Sequence, residues 1–379
     1  MTETWIEKAL NYSLARIRQN LTELDGFPER TENARWICVE RTGEQPGWWV
    51  GGHWVGQIWL AFAHTQAPDL ERSARTWAAY LVPRQFDTTT HDLGFLFELS
   101  HVLGYQLTGD EIFIAPALQA AASLSQRFNP RGGYFQAWGP LDAPAELCGR
   151  AIVDTMMNLD LLFWVSQQIG DPKFAQMAET HARTVMQYQI RPDFSTAHVI
   201  DFDPQSGAFL KQDTHQGWSG LSCWSRGQAW AVYGFGDCYR ATGDSVFLET
   251  ARHLANYALD HLPVDRVPYW DYDSPEIPNE VRDSSAASIL ASALLNLAAL
   301  ETDPEQASCW RSQAESMLKS LWENYSSRGT TEPSILIHGT RSKPHGLMDH
   351  GLIYGDYYFV EALLKLRSIT ASSDEPNEH

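Results

Sequence analysis

Residues 148–164 have the sequence CGRAIVDTMMNLDLLFW. Beyond its first turn, the helix that this stretch predicts is apolar on nearly every side, which is typical of a helix buried all round. Asp154 lies in the first turn, where a carboxylate either binds the free N–H groups of the helix or serves proton chemistry in a buried pocket. Taken alone, the stretch favours the capping role, because acidic residues are common in first turns.

The succession of an apolar helix, a turn and an amphipathic helix recurs along the chain. Gly109-Asp110, Gly170-Asp171 and Gly243-Asp244 each end an apolar helix and begin an amphipathic one, and Asp303-Pro304 is a weaker fourth copy. Glycine supplies the left-handed helix stop and aspartate the next N-cap. A period of roughly sixty residues indicates one helical hairpin and one long loop in each repeat.

This pattern predicts an all-α fold of the (α/α)6 type, a double toroid in which inner helices are wrapped by outer ones. The predicted inner helices are about 54–64, 93–107, 153–169, 226–242, 284–300 and 355–367. The predicted outer helices are about 69–82, 110–127, 171–189, 244–262 and 303–325, and the N-terminal helix at 2–20 closes the ring. We expect one domain over residues 1–370, a disordered polar tail over 371–379, and short β-hairpins within 132–139 and 198–207.

The composition narrows the classes of function. A formal net charge of −19 and the absence of a basic stripe argue against binding to nucleic acid. No apolar stretch is long enough to span a bilayer, and the N-terminal segment lacks the pattern of a signal peptide. Five cysteines without a CxxC pair are interpreted as free thiols. We therefore expect a cytoplasmic protein with no membrane or nucleic-acid partner; the sequence does not indicate its oligomeric state.

Two carboxylates lie at equivalent positions, since Asp92 and Asp154 each stand at the start of an apolar inner helix. The long loops that enter these helices gather at one end of a barrel, so the two carboxylates are expected to share a cleft. Like charges and the apolar Met156 and Met157 would raise one pKa toward the working pH, which suits general acid/base catalysis. The alternative is that each carboxylate only caps its helix.

Residues 214–230 form the densest polar motif of the chain. Arg226 is suited to bidentate binding of a carboxylate, Gln216 offers directional hydrogen bonds, and Trp224 and Trp230 offer stacking faces for a sugar. The alternative is that Arg226 pairs with an acidic residue such as Asp283 and that the tryptophans line the core. No metal-binding, phosphate-binding or dinucleotide motif is present, so neither a metal nor a cofactor is expected.

Eight motifs, in register over about three hundred residues, together resemble the unsaturated glucuronyl hydrolases of glycoside hydrolase family 88. The motifs are WVGGHWVG (49–56), HDLGF (91–95), QAWG (136–139), GRAIVDTMMNL (149–159), THQG (214–217), WSRGQAW (224–230), RDSSA (282–286) and YGDYY (354–358). The resemblance implies the (α/α)6 barrel and a substrate with a 4,5-unsaturated uronic acid at its non-reducing end. Such ends are left on glycosaminoglycan fragments by polysaccharide lyases.

The resemblance also implies hydration of a vinyl ether without a cofactor. Asp154 would protonate C4 of the double bond and assist addition of water at C5, and Asp92 would be the second catalytic carboxylate, which either orients the sugar or tunes the pKa of Asp154. The same resemblance implies substrate-binding roles for a further set of residues: Trp49, Trp54, His198, Gln216, Trp224, Arg226 and Trp230.

The first of these loops departs from the family pattern. It has Gly51 where relatives are expected to carry an acidic residue, and His53 where they are expected to carry an aromatic one. The last loop, over residues 341–351, also departs from the family pattern. Its residues Arg341, Lys343 and His345 suggest that the enzyme accepts sulfated sugars. Three alternative functions are a hydrolase of unsaturated rhamnogalacturonyl fragments of pectin, a sugar epimerase with paired histidines, and a non-catalytic carbohydrate-binding protein.

Overall fold

The computed structural model describes residues 3–373, with side chains from residue 3 to residue 369, and within that range the chain folds as two concentric rings of helices. The inner ring consists of α2 (Gly51–Thr65), α4 (Leu93–Phe97) and α5 (Leu103–Thr108) joined by a π-helical turn, α8 (Leu159–Ile169), α10 (Ser225–Thr242), α12 (Ser284–Leu300) and α14 (Ile353–Ser373). The outer ring consists of α1 (Trp5–Glu23), α3 (Pro68–Leu81), α6 (Ile114–Ser125), α9 (Lys173–Tyr188), α11 (Ser245–Asp260) and α13 (Pro304–Asn324).

The inner helices contact one another in chain order, and the last packs against the first, so that the ring closes. Each inner helix also packs against the outer helix of its own hairpin, and α1 packs against α14. One apolar core runs through both rings, from Ile6 in α1 to Leu366 in α14. The predicted (α/α)6 double toroid is therefore confirmed.

The described residues do not include the whole of the predicted domain and tail. Helix α14 continues to Ser373, three residues into the predicted tail, and the rest of that tail lies outside the described residues. The single domain over residues 1–370 stays a prediction. None of the helices in residues 3–373 has the length and apolarity needed to cross a bilayer.

Three small antiparallel sheets lie in the loops. The first, β1 (Phe27–Glu32) with β2 (Arg35–Val39), was not predicted, and the second pairs β3 (Phe128–Asn129) with β4 (Tyr134–Phe135). The third has the order β5 (Arg150–Ile152), β6 (Val199–Phe202) and β7 (Phe209–Asp213). Both predicted hairpins exist, but their bounds were wrong, because β3 begins before residue 132 and β7 begins after the left-handed turn at Gly207 (φ +77°).

The predicted inner helix at 153–169 starts differently from the expectation. Arg150, Ala151 and Ile152 pair with β6 and are extended, and a 3-10 helix over Val153–Asn158 follows before α8 begins. The sheet pairing occupies the backbone groups of residues 150–152, so no helical turn begins before Val153. Asp154 therefore lies in the tight turn between a strand and a buried helix.

Gly94 brings two of these segments into direct contact. A Cβ atom at this position would lie 2.3 Å from Cα of Asn158, so only glycine permits this approach. The Asn158 side chain then accepts a hydrogen bond from the N–H of Phe95 at 2.8 Å and donates one to the carbonyl oxygen of Asp154 at 3.2 Å. The segment that carries Asp92 is thereby fixed against the segment that carries Asp154.

His53 is fully buried in α2 and is surrounded by aromatic rings, including those of Phe95, Tyr354 and Tyr357. Neither ring nitrogen has a hydrogen-bond partner. Burial lowers the pKa of His53 to about 3, so the ring is neutral in the folded protein.

Replacing His53 with Phe should stabilise the protein, and more so in acid. Below pH 6.5 the unfolded chain binds a proton that the buried ring refuses, so the wild type loses roughly 1.4 kcal/mol per pH unit as the pH falls from about 6.5 toward 3. The gain from His53→Phe should therefore be about 2 kcal/mol larger at pH 5 than at pH 7. Urea unfolding of both proteins at pH 5 and pH 7 measures this gain in unfolding free energy. An equal gain at the two pH values would contradict a buried, neutral His53.

Candidate active site

A cavity of about 500 Å³ opens among the loops that enter the inner helices. This volume lies within the range of small-molecule sites in proteins. Both predicted carboxylates and three aromatic side chains contribute to its wall. The lining residues are Gln45, Trp48, Trp49, Arg84, Thr89, Thr90, His91, Asp92, Trp138, Ile152, Asp154, His215, Gln216, Arg226, Arg341, Ser342, His345 and Leu347.

Asp154 does not cap a helix. Its 3-10 helix has no side-chain cap, and the carboxylate instead faces His198, whose Nε2 lies 3.5 Å from Oδ2. The Asp154 side chain is 15% exposed, which leaves it accessible from the cavity. The capping interpretation, which the isolated stretch favoured, is therefore wrong.

Backbone N–H groups fix the tautomer of His198. Its Nδ1 accepts hydrogen bonds from the N–H groups of His215 and Gln216, at 3.2 and 3.1 Å. A ring nitrogen that accepts carries no proton, so the neutral ring holds its proton on Nε2, the atom that faces Asp154. His198 is itself buried and does not line the cavity, so its contact is with the carboxylate.

The pKa of Asp154 lies below its ordinary value, which corrects the expectation of a raised pKa. Burial by itself would raise it, but the proximity of His198, whose Nε2 faces the carboxylate, and of His91 and Arg226 outweighs burial and lowers it. The sequence placed Met156 and Met157 beside the carboxylate but could not show that positive and dipolar groups would surround it. In the unliganded protein Asp154 is therefore an anion at neutral pH.

Asp92 has a similar setting. It precedes α4 without capping it, and its Oδ2 accepts a hydrogen bond of 2.6 Å from the hydroxyl of Thr90. Nε2 of His91 lies 3.3 Å from Oδ1, while Nδ1 of the same ring contacts the hydroxyl of Thr155 at 2.7 Å. Each cavity carboxylate thus has its own buried histidine.

Arg226 forms the ion pair that the sequence left as an alternative. Its Nη1 donates to Asp283, which is fully buried, and to the carbonyl oxygen of Thr340 at 2.7 Å. Its Nη2 donates to the carbonyl oxygen of Arg341 at 2.7 Å. The guanidinium still lines the cavity, but its charge is compensated within the protein.

Gln216 also lines the cavity. Its side-chain Nε2 donates to the backbone carbonyl oxygen of Arg341 at 2.8 Å. The backbone carbonyl oxygen of Gln216 accepts a hydrogen bond from the indole N–H of Trp270 at 2.8 Å. The first bond ties the loop before α10 to the last loop, and the second ties it to the segment that enters α12.

Of the four predicted tryptophans, only Trp49 lies in the cavity wall, where its ring packs on Tyr354. Trp54 is fully buried against Trp77, and Trp230 is buried with Phe95 and Tyr358 as neighbours, so neither ring belongs to the cavity wall in this structure. Both residues lie within helices that turn these faces to the core, and their substrate-binding roles stay predictions.

Trp224 is buried and is not among the residues that line the cavity, so its predicted contact with substrate also stays a prediction. Its ring lies 4.5 Å from the ring of His198, and the guanidinium of Arg226 lies 4.5 Å from its centroid. Trp224 therefore supports two site residues from behind.

The set of predicted site residues omitted Trp48, Trp138 and His345, which line the cavity. Trp138 packs on His215, which in turn packs on His345. Trp138 belongs to the QAWG motif and Trp48 precedes Trp49, so both lay inside patterns that could have pointed to them. His345 lies in the last loop, where the sequence suggested a role in accepting sulfate but did not place it beside His215.

Among residues 3–373, no three His, Cys, Asp or Glu side chains are placed to hold a metal ion together. The polar groups of the cavity are carboxylates, histidines, arginines, two amides and three hydroxyls. Such a set provides proton transfer and hydrogen bonding.

Comparison with known proteins gives one consistent answer. Residues 22–262 match the model of Glycosyl Hydrolase Family 88. The chain is 36% identical, over 96% of its length and 97% of the relative, to an unsaturated glucuronyl hydrolase of Bacillus sp. (strain GL1), and 35% identical over 84% and 81% to an unsaturated chondroitin disaccharide hydrolase of Streptococcus pneumoniae.

Solved structures agree with these relatives. The crystal structure of the unsaturated glucuronyl hydrolase from Bacillus sp. GL1 superposes with a TM-score of 0.91 at 35% identity, covering 97% of this chain and 98% of that one. A crystal structure of an unsaturated glucuronyl hydrolase specific for heparin gives 0.90 at 31% identity, with the same coverage. The chain therefore belongs to glycosyl hydrolase family 88 and is a glycoside hydrolase.

Proposed function

We propose that the enzyme releases 4,5-unsaturated glucuronic acid from the non-reducing end of lyase-generated glycosaminoglycan disaccharides. The observation that carries the proposal is a pair of carboxylates, each beside a buried histidine, in one aromatic-walled cavity. The relatives that hydrolyse unsaturated glucuronyl and chondroitin disaccharides support the same substrate class.

In the proposed mechanism, Asp154 donates a proton to C4 of the double bond while water adds to C5. The product is a hemiketal at C5, whose ring C–O bond breaks to give a ketone. The hemiacetal left at C1 then expels the next sugar as an alcohol. One water molecule is consumed, and the proton balance closes because the attacking water returns a proton to the carboxylate.

The substrate itself can load the acid. Asp154 is ionised in the free protein because its pKa is lowered by His198, His91 and Arg226. The uronate carboxylate adds a negative charge to the cavity, and a like charge nearby raises the pKa of a carboxyl group. We propose that binding is coupled to proton uptake and that Asp154 takes up this proton.

The remaining site residues are proposed to hold the substrate. Trp49 offers a face to the sugar ring. The uronate is oriented by Gln216 and by those N–H groups of Arg226 that bind neither Asp283 nor the last loop. His198 acts through its contact with Asp154. Asp92 hydrogen-bonds the sugar and, as a second anion in the cavity, opposes the lowering of the pKa of Asp154.

The sequence suggested that the last loop accepts sulfated sugars, but the ion pairs of Arg341 and Lys343 reverse that expectation, and we propose that sulfated disaccharides react more slowly. Arg341 is bound to Glu29 at 2.8 Å, and Lys343 is bound to Glu280 at 2.8 Å and to Glu276. The glutamates already neutralise both cations, and Asp92 and Asp154 add negative charge to the cavity. A sulfate on the second sugar should therefore lower kcat/KM roughly tenfold, which corresponds to about 1.4 kcal/mol. Matched sulfated and unsulfated chondroitin disaccharides measure this ratio.

Glu280→Gln provides the control for that prediction. The change leaves Lys343 with less compensation, so kcat/KM for the sulfated sugar should rise while that for the unsulfated sugar stays the same. Equal rates for both disaccharides with the wild type would contradict the prediction.

The test of the function is turnover by the purified protein. Release of the amino sugar from unsaturated chondroitin, hyaluronan and heparin disaccharides would support the proposal. Turnover of unsaturated rhamnogalacturonyl fragments alone would favour the pectin alternative, and quenching of tryptophan fluorescence without turnover would favour a binding protein. The epimerase alternative loses its paired histidines, because Nδ1 of His198 is held by backbone N–H groups and Nε2 faces Asp154.

We propose a cytoplasmic location. All five cysteines are free thiols, which fits a reducing compartment.

A further inference from the structure

The aromatic wall of the cavity is held by an ion pair that takes no part in the proposed chemistry. Arg84 follows α3, in a 3-10 helix over Val82–Phe86, and its side chain is only 2% exposed. Its Nε and Nη2 bind Oδ2 of Asp87, at 3.0 and 2.8 Å. The remaining N–H groups of a buried arginine also need hydrogen-bond acceptors, and the acceptors of Arg84 belong to the loop that carries the tryptophan wall.

Those acceptors are carbonyl oxygens of the tryptophan loop. Nη1 of Arg84 donates to the carbonyl of Pro46 at 3.1 Å and to the carbonyl of Trp48 at 2.7 Å. Trp48 has φ +44°, a left-handed conformation that is unfavourable for a tryptophan. Such a conformation persists only where the surroundings impose it, and the bond from Arg84 to the Trp48 carbonyl is such a constraint.

The other half of the pair reaches the segment that carries Asp92. Oδ1 of Asp87 accepts from both the N–H and the hydroxyl of Thr89, each at 2.7 Å. Thr89 and Thr90 line the cavity, and Thr90 binds the carboxylate of Asp92. The pair therefore connects the loop of Trp48 and Trp49 to the loop of Asp92.

We infer that Arg84 and Asp87 are positioning residues that set the tryptophan wall at its distance from the Asp92 segment and thereby determine substrate binding. The inference rests on the proposed function, since the wall is the surface on which the sugar would stack. Arg84 also borders the cavity, but its Nε, Nη1 and Nη2 atoms bind Asp87 and the carbonyls of Pro46 and Trp48. It therefore acts through these partners, and its loss should affect KM more than kcat.

The test compares Arg84→Met, Arg84→Lys and Asp87→Asn with the wild type on an unsaturated chondroitin disaccharide. We expect Arg84→Met to raise KM about tenfold while kcat changes less than threefold. Arg84→Lys, which retains the charge and one hydrogen bond, should recover part of the loss. Asp87→Asn should raise KM in the same direction.

Arg252→Met is the matched control. Arg252 also forms an ion pair, with Glu301, away from the cavity and with a more exposed arginine, and its loss should leave KM and kcat unchanged. If circular dichroism shows that Arg84→Met does not fold, Asp87→Asn replaces it, and the same comparison of KM with kcat tests the positioning role.

The outcomes separate this inference from the function on which it rests. A wild type without turnover refutes the proposed function. An active wild type with unchanged KM in Arg84→Met or Asp87→Asn overturns the positioning role, and so does a variant that loses kcat alone.

Discussion

Asp154→Asn should lower kcat on unsaturated disaccharides by about a thousandfold, which is within the range that general acid/base groups contribute. Asparagine fits the same space but cannot deliver a proton to C4. The contact with Nε2 of His198 can persist, because the amide oxygen of asparagine also accepts a hydrogen bond. Binding of the disaccharide should therefore survive, and titration of tryptophan fluorescence alongside turnover measures both.

Two results would count against this role. Near-normal turnover by Asp154→Asn would assign the acid to another group, and Asp92→Asn would then show whether Asp92 is that group. Loss of binding together with turnover would indicate that Asp154 mainly holds the substrate. Circular dichroism of the variant excludes unfolding as the cause.

Gly94→Ala should lower kcat/KM about a hundredfold, as expected when a catalytic group is displaced by about 1 Å. The new Cβ would lie 2.3 Å from Cα of Asn158, which is backbone that a side-chain rotation cannot move away. Asp92 stands two residues before Gly94, and Asn158 binds the carbonyl of Asp154. The variant therefore moves the two catalytic segments apart.

Gly236→Ala is the matched control for this substitution. Gly236 also lies in an inner helix, but an added Cβ would meet its nearest neighbours, Leu297 and Leu300, at 3.8 and 3.9 Å, which are ordinary contacts. Its activity should remain at the wild-type level. If Gly94→Ala retained full activity, the close approach at Asn158 would not be what positions the carboxylates.

The ring of helices could be predicted from the sequence because its signals are local. Gly109, Gly170 and Gly243 end inner helices with φ near +70°, and Asp110 and Asp244 cap the elements that follow them. Apolar and amphipathic helices alternate regularly between these stops. The order of the rings follows from that alternation, since each hairpin must bury its apolar member.

The details of the site depended on contacts between residues far apart in the chain. The direction of the Asp154 pKa shift depends on His91, His198 and Arg226, which come from other entry loops. Whether a tryptophan lines the cavity or the core depends on the direction its helix face takes. Motifs could therefore indicate which loops form the site, while the exposure of Trp54, Trp224 and Trp230 required the fold.

The most direct test of the central claim follows two signals in one reaction with an unsaturated chondroitin disaccharide. The first is the ultraviolet absorbance of the conjugated double bond, and the second is the amount of free amino sugar. If the enzyme hydrates the double bond before the sugars separate, the absorbance falls at least as early as the amino sugar appears. Release of amino sugar while the absorbance persists would contradict the account, because the bond would then have been cleaved at the anomeric carbon.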